Sequence, residues 1–150
     1  MNRTQPDITE LLPHADSMVL IDEICEYDDT RIVCLSRSHT AADNPLRRGK
    51  HLDSAALLEY AAQASAIHGG LTQPQARGRV AFLAAARSLD LTTRALDTLA
   101  GTLEITAERL MDAGDGVIYT TEVTHEGQAV MRARLTIMNA PYNPSDGEAA

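Results

Sequence analysis

The chain has 150 residues, which is the usual size of one domain with a single hydrophobic core. Hydrophobic residues make up 44% and charged residues 23%, and these values exclude a disordered or collagen-like chain. The formal net charge is −8, so we expect the protein to bind neither nucleic acid nor anionic membranes. Its densest cationic segment, Arg47-Arg48-Gly49-Lys50, could still receive a small acidic partner.

The cysteine pattern and the lengths of the apolar runs indicate in which cellular compartment the protein lies. Cys25 and Cys34 lie inside apolar runs and form no Cys-x-x-Cys pair. We find no signal peptide and no stretch of about 18 uninterrupted apolar residues. We therefore expect a cytoplasmic protein without a membrane span. Because no His-x-x-x-His pair or Cys cluster is present, we also expect no metal site and no cofactor.

The first third of the chain predicts an arm, a hairpin and a loop. Residues 1–16 are mostly polar and predict an arm with one brief helical turn. Residues 18–27 and 31–38 are rich in β-forming residues and flank a turn signal, so they predict two paired strands. Residues 39–52 have no clean period, which favours a long loop, and loops of that length in compact domains are often functional.

A helix is predicted over residues 53–69. Asp53 or Ser54 can cap its start, and Gly69-Gly70 can end it. Its surface is apolar nearly all round, which is typical of a helix that the rest of the protein surrounds.

Four antiparallel strands are predicted after the helix, because alternation and tight turns recur there. They cover residues 79–91, 99–110, 117–124 and 131–137, and residues 141–150 are predicted to form a flexible tail. The order of elements predicts a single α+β domain over residues 1–150, in which a sheet wraps around one helix.

Four polar side chains on or near this helix are candidates for chemistry. Glu59 lies among alanines, where a carboxylate without a partner costs several kcal/mol to bury. It could be a general acid or base, or it could reach water or an arginine. Gln63 lies one turn further on and can share its face. His39 and His51 flank the loop that leads into the helix, and either ring could meet Glu59.

Three motifs resemble a known family. The segment Leu12-Pro13-His14 resembles the Leu-Pro-His opening of FabZ-type 3-hydroxyacyl-acyl-carrier-protein dehydratases, and Leu58-Glu59-Tyr60-Ala61-Ala62-Gln63-Ala64 resembles their Glu-Ala-Met-Ala-Gln-Ala helix. Asp43-Asn44-Pro45-Leu46-Arg47 is similar to the divergent branch of aryl-polyene and related pigment pathways. The resemblance implies a hotdog fold, an antiparallel sheet wrapped around one long central helix.

The resemblance also implies a reaction. Glu59 would be the catalytic acid and, with a histidine, would remove the C2 proton and help expel the C3 hydroxyl as water, which leaves a trans-2-enoyl thioester. The histidine is His39 or His51, and His39 is slightly favoured because a strand end holds a side chain better than a glycine-containing loop. His14 and Gln63 are the implied substrate-binding residues.

Two alternatives stay open, because Gly49-Lys50-His51-Leu52 stands where the family has Gly-His-Phe-Pro. A hotdog thioesterase would use Glu59 to activate water against the thioester carbonyl. A non-catalytic subunit would bind an acyl chain or complete a heterodimer. The resemblance further implies two partners: an acyl carrier protein that delivers the substrate, and a second hotdog subunit, identical or different, that completes the active tunnel.

Overall fold

The computed structural model describes residues 8–12, 18–73 and 79–141. Its elements in chain order are α1 (Ile8–Leu11), β1 (Glu23–Tyr27), β2 (Arg31–Ser36), α2 (Leu57–Thr72), β3 (Arg79–Leu91), β4 (Leu103–Ala113), β5 (Gly116–His125) and β6 (Gln128–Pro141). The predicted order of two strands, one long helix and four more strands is confirmed. His14 and the predicted tail beyond residue 141 lie outside the described residues.

The six strands form one antiparallel sheet in the order β1-β2-β4-β5-β6-β3. Helix α2 contacts β2 to β6, so the sheet wraps around it as the α+β prediction requires. The core lies between the helix and the sheet, because strand residues that alternate inward meet the apolar helix there. Its wholly buried side chains include Leu57, Ala61, Ala64 and Ile67 of α2, and Leu103, Ile105, Ala107 and Leu135 of the sheet.

The bounds of the central helix differ from the predicted range of 53–69. A short 3-10 turn, Ser54–Ala56, precedes α2. At the other end, Gly69 and Gly70 lie inside the helix, because neither takes the positive φ that would end it. Gly70 instead admits the side chain of Leu11, since a Cβ on this glycine would lie 3.1 Å from Leu11 Cδ2. The glycine therefore lets α1 pack closely on α2.

The buried ring of His68 joins α2 to the sheet. Its Nε2 lies 2.8 Å from the Asp28 carbonyl oxygen, which can only accept, so Nε2 carries the proton. Its Nδ1 therefore accepts a hydrogen bond of 2.8 Å from the Tyr119 hydroxyl. Burial lowers the pKa of His68, and burial raises the pKa of Tyr119. His68 is therefore a neutral core residue in the folded protein.

We expect the free energy of unfolding to decrease as the pH falls below about 6.5. The pKa of His68 is lowered in the folded state, so below the ordinary histidine pKa the unfolded chain binds more protons than the folded chain. Urea unfolding at pH values of about 7.5 and 5.5 measures the effect. A His68→Gln variant cannot titrate at this position and should show a smaller difference between the two pH values. A stability of the unsubstituted protein that is constant over this range would contradict the prediction.

Candidate active site

Glu59 lies in the first turn of α2 and borders a pocket between this helix and strands β3 and β6. The pocket has a volume of about 150 Å³ and is lined by Glu59, Ala62, Gln63, Ala66, Ala81, Phe82, Leu83 and Ile137. A mostly apolar pocket with a few polar groups is typical of a small-molecule site. Such sites usually measure about 300–1,000 Å³, so this pocket is smaller than a typical small-molecule site.

Small side chains create this pocket. Ala62 and Ala66 are one turn apart on α2, and Ala81 faces them from β3. Each methyl group leaves space that a leucine would fill. Because this space adjoins a carboxyl group, an apolar chain could lie beside a group that can hold or release a proton.

The amide of Gln63 orders the residues around Glu59. Its Oε1 accepts a hydrogen bond of 2.8 Å from the backbone N–H of Leu20. Because that N–H can only donate, the orientation of the amide is fixed. Its Nε2 then donates to the Met18 carbonyl at 2.7 Å and to Glu59 Oε1 at 3.3 Å. Gln63 was predicted to bind substrate; it lines the pocket, and its amide holds Glu59 and the segment before β1.

The segment before β1 explains why the first strand is shorter than predicted. Residues 18–22 do not belong to β1, which begins at Glu23. The Leu20 carbonyl accepts hydrogen bonds from Ser36 Oγ at 2.5 Å and from Ser38 Oγ at 2.8 Å. Side chains therefore satisfy the backbone of Leu20 on both sides, and a strand ladder is not needed there.

Asn44 shapes the loop between β2 and α2. Its Nδ2 donates to the Ser38 carbonyl at 2.9 Å and to the Tyr60 hydroxyl at 3.1 Å. Its Oδ1 accepts from the backbone N–H of Leu46 at 2.8 Å. The Tyr60 hydroxyl also lies 2.7 Å from Ser38 Oγ. The sequence predicts a loop around Asn44, and the structure shows that the side chain of Asn44 ties this loop to α2.

Arg47 closes the same loop. Its guanidinium donates to three backbone carbonyls: Ala41 at 2.7 Å through Nε, His39 at 2.9 Å through Nη2, and Lys50 at 3.2 Å through Nη1. The five donors of a guanidinium suit this arrangement, and a lysine could not reproduce it. Arg47 therefore holds the two ends of the loop together.

His39 is wholly buried beside this loop. Its Nε2 lies 2.8 Å from the Leu99 carbonyl oxygen, so Nε2 carries the proton and Nδ1 is left as an acceptor. Nδ1 is buried and has no hydrogen-bond partner among the described residues. Burial lowers the pKa of His39, so the ring is neutral at pH 7. These are properties of a base, but the ring does not line the Glu59 pocket.

His51 lies on the surface, with a side chain that is 56% exposed. Its Nδ1 is 3.5 Å from Asp97 Oδ1, and its Nε2 is 3.9 Å from Asp53 Oδ2. This ring is also absent from the described lining of the Glu59 pocket. The structure therefore brings Glu59 and Gln63 together, as predicted, and does not place His39 or His51 beside them.

Within residues 8–12, 18–73 and 79–141, His, Cys, Asp and Glu side chains form no group of three or more that could hold a metal ion. None of the helices described there is long and apolar enough to cross a membrane.

Comparison with known proteins assigns the family. The family model for ApeP-like proteins, described as ApeP dehydratase, matches residues 6–147. The chain belongs to the ApeP-like dehydratase family. The predicted resemblance to dehydratases is thereby confirmed. No relative was found among curated protein sequences.

Solved structures confirm the hotdog fold of this ApeP-like chain. The dehydratase heterocomplex ApeI:P from Xenorhabdus doucetiae matches with a TM-score of 0.78 and 19% identity, over 95% of each chain. A mutant of the thioesterase PA1618 from Pseudomonas aeruginosa matches with a TM-score of 0.66 and 14% identity, over 93% of this chain and 98% of that one. A hypothetical thioesterase with coenzyme A from Streptococcus pneumoniae TIGR4 matches with a TM-score of 0.58 and 16% identity, over 81% and 87%. Dehydratases and thioesterases share this fold, so the fold alone does not choose between them.

Replacing Gln63 with Met, which has a similar volume, should lower the free energy of unfolding by about 1–3 kcal/mol. The substitution leaves the buried N–H of Leu20 without an acceptor. Ser65→Ala is the matched control, because Ser65 is equally buried on α2 and its Oγ donates only to the Ala61 carbonyl one turn earlier, at 2.8 Å. That change should cost less than about 1 kcal/mol. Urea unfolding compares the variants, and equal losses would contradict the role given to Gln63.

Proposed function

We propose that this ApeP-like dehydratase removes water from 3-hydroxyacyl thioesters of an acyl carrier protein, in an aryl-polyene or related fatty-acid-like pathway. The observation that carries the proposal is Glu59, a carboxyl at the edge of an apolar pocket in a chain of a dehydratase family. In the reaction a base takes the C2 proton, the C2=C3 double bond forms, and the C3 hydroxyl leaves as water with a proton from an acid. The product is a trans-2-enoyl thioester.

Glu59 is held in a defined position beside the pocket. Its carboxyl is half-buried and receives a hydrogen bond from Gln63, whose own orientation the backbone of Leu20 fixes. A catalytic group must be held to within about 0.5 Å, and a buried amide with three hydrogen bonds provides such a support. Gln63 is thus a positioning residue in this proposal.

Two histidines remain candidates for the base, and each has one property that the reaction requires. His39 is neutral, and its Nε2–H bond to Leu99 leaves Nδ1 able to accept a proton. His51 is accessible to a substrate. Because neither lines the pocket of its own chain, the histidine would take the C2 proton of a substrate held beside the Glu59 of a second subunit, or the second subunit would provide the base for this chain's pocket.

A second hotdog subunit would complete the site at the free edge of β3. Strand β3 is at the end of the sheet and pairs only with β6 among the described strands. Edge strands expose unpaired N–H and C=O groups that another strand can join. Phe82, on the part of β3 that walls the pocket, is 49% exposed. A subunit placed there would cover Phe82 and enlarge the pocket beyond what one chain encloses.

The dehydratase heterocomplex from Xenorhabdus doucetiae supports this assembly, and a second copy of the chain is the other candidate. Native mass measurement of the chain, alone and mixed with a second hotdog subunit, distinguishes a homodimer from a heterodimer. We also propose a cytoplasmic location, which the free thiols of Cys25 and Cys34 support.

Glu59→Gln should lower the rate of dehydration of a carrier-bound 3-hydroxyacyl chain by roughly 10²-fold or more. The amide preserves volume and hydrogen bonding, so the unfolding free energy should stay close to that of the parent protein. Glu108→Gln is the matched control, because Glu108 is an exposed glutamate on β4 outside the pocket. The acid assignment fails if Glu59→Gln retains the parent rate.

The same assay decides between the histidines. We expect one of His39→Gln and His51→Ala to lower kcat by roughly 10²-fold without a matching loss of folded protein. If both variants keep the parent rate, neither histidine of this chain is the base. Release of free thiol in place of an enoyl product would favour the thioesterase alternative. Thioesterases are among the solved structures that are similar to this chain.

A further inference from the structure

The ring of His51 lies between two carboxylates. Its Nδ1 is 3.5 Å from Asp97 Oδ1, and its Nε2 is 3.9 Å from Asp53 Oδ2. A neutral imidazole carries one proton, and the acceptor that each nitrogen faces decides which nitrogen carries it. The stronger of the two acceptors therefore determines which nitrogen of His51 is free to take a proton from a substrate.

Asp97 is the nearer and the more firmly held of the two carboxylates. Its Oδ1 accepts a hydrogen bond of 3.0 Å from the Leu52 N–H. Its side chain is 24% exposed, whereas that of Asp53 is 66% exposed. The hydrogen bond from Leu52 lowers the pKa of Asp97, so this carboxylate is charged at neutral pH. The Nδ1 side of the His51 ring thus faces a charged acceptor in a defined place.

The backbone of His51 is also held. Arg48 N–H donates to the His51 carbonyl at 2.8 Å, and His51 N–H donates back to the Arg48 carbonyl at 3.1 Å. Gly49 lies between them and takes a φ of +64°, which a residue with a side chain would disfavour. The glycine therefore closes a turn that fixes the His51 backbone, as a catalytic group requires.

His51 and Asp97 lie on two segments that are joined near the end of β3. Leu96 N–H donates to the Leu52 carbonyl at 2.8 Å, which ties the residue before Asp97 to the residue after His51. Strand β3 ends at Leu91, a few residues before Asp97. A second subunit that joins the free edge of β3 would therefore lie beside this pair.

We propose that Asp97 is the positioning residue of the base: it holds the proton of His51 on Nδ1 and so leaves Nε2 to take the C2 proton of a substrate in the pocket of the second subunit. This inference rests on the proposed function and chooses His51 over His39, because a substrate can reach the exposed ring and not the buried one.

The charge of Asp97 also matters during the proposed step. The electron pair of the C2–H bond forms the C2=C3 double bond, and the C3 hydroxyl leaves as water with a proton from the acid of that pocket. The proton taken by Nε2 makes the His51 ring a cation. A carboxylate on the Nδ1 side stabilises that cation without taking its proton.

Asp97→Asn tests the position of the proton. The amide oxygen can still accept from the Leu52 N–H, so the fold should be kept and only the charge beside Nδ1 is lost. With the ring neutral, nitrogen chemical shifts in NMR should show the His51 proton on Nδ1 in the parent protein and a larger share of it on Nε2 in the variant. A proton on Nε2 in the parent, or one that the substitution does not move, would overturn the proposal.

Asp53→Asn is the matched control, because it removes one charge from the other side of the same ring. Its side chain can still accept from the Ala55 N–H and cap the 3-10 turn. The His51 proton should stay on Nδ1 in this variant. An equal shift of the proton in both variants would contradict a specific role for Asp97.

Kinetics test the role in the reaction. Asp97→Asn should lower kcat roughly tenfold or more with KM unchanged, and Asp53→Asn should keep kcat within about twofold. In a His51→Ala background, Asp97→Asn should cause no further loss, because it acts only through that ring. A parent rate in Asp97→Asn, or a second equal loss in the double variant, overturns the positioning role. If the parent protein with its second subunit dehydrates no 3-hydroxyacyl thioester, it is the proposed function that fails.

Discussion

The site depends on one buried amide, the side chain of Gln63. It is 1% exposed and makes three hydrogen bonds, to Leu20 N, the Met18 carbonyl and Glu59. From Leu20 the contacts continue through Ser38 to Tyr60 and Asn44. One connected set of hydrogen bonds therefore runs from the carboxyl in the pocket to the loop before α2. A buried polar set of this kind is stable only if every member is satisfied, which makes each residue sensitive to substitution.

The pocket and the loop before α2 are built by different side chains. In the pocket, Ala62 and Ala66 leave apolar space beside Glu59 and the free edge of β3. In the loop before α2, Arg47 donates hydrogen bonds to three backbone carbonyls and so holds its two ends together. The small enclosed volume explains why a second subunit is part of the proposal.

The sequence predicted the strands and the helix, whose side chains repeat with a fixed period. It did not predict the contacts made by the loop between β2 and α2. Alternation in β4 and the apolar surface of α2 predicted the sheet and its central helix, and the spacing of Glu59 and Gln63 predicted their shared face. The end of α2 was misplaced because a glycine ends a helix only if it takes a positive φ, which the sequence does not specify. His39 could not be placed, because its partner, Leu99, lies 60 residues away along the chain.

Mass spectrometry of the carrier-bound product tests the central claim most directly. The protein, with its second hotdog subunit, is incubated with a 3-hydroxyacyl chain on the acyl carrier protein, and the intact carrier is weighed. Our account predicts a carrier that keeps its acyl chain and loses the mass of one water, with a trans-2 double bond in the released chain. A carrier that returns to its free thiol, or one whose mass does not change, would contradict it.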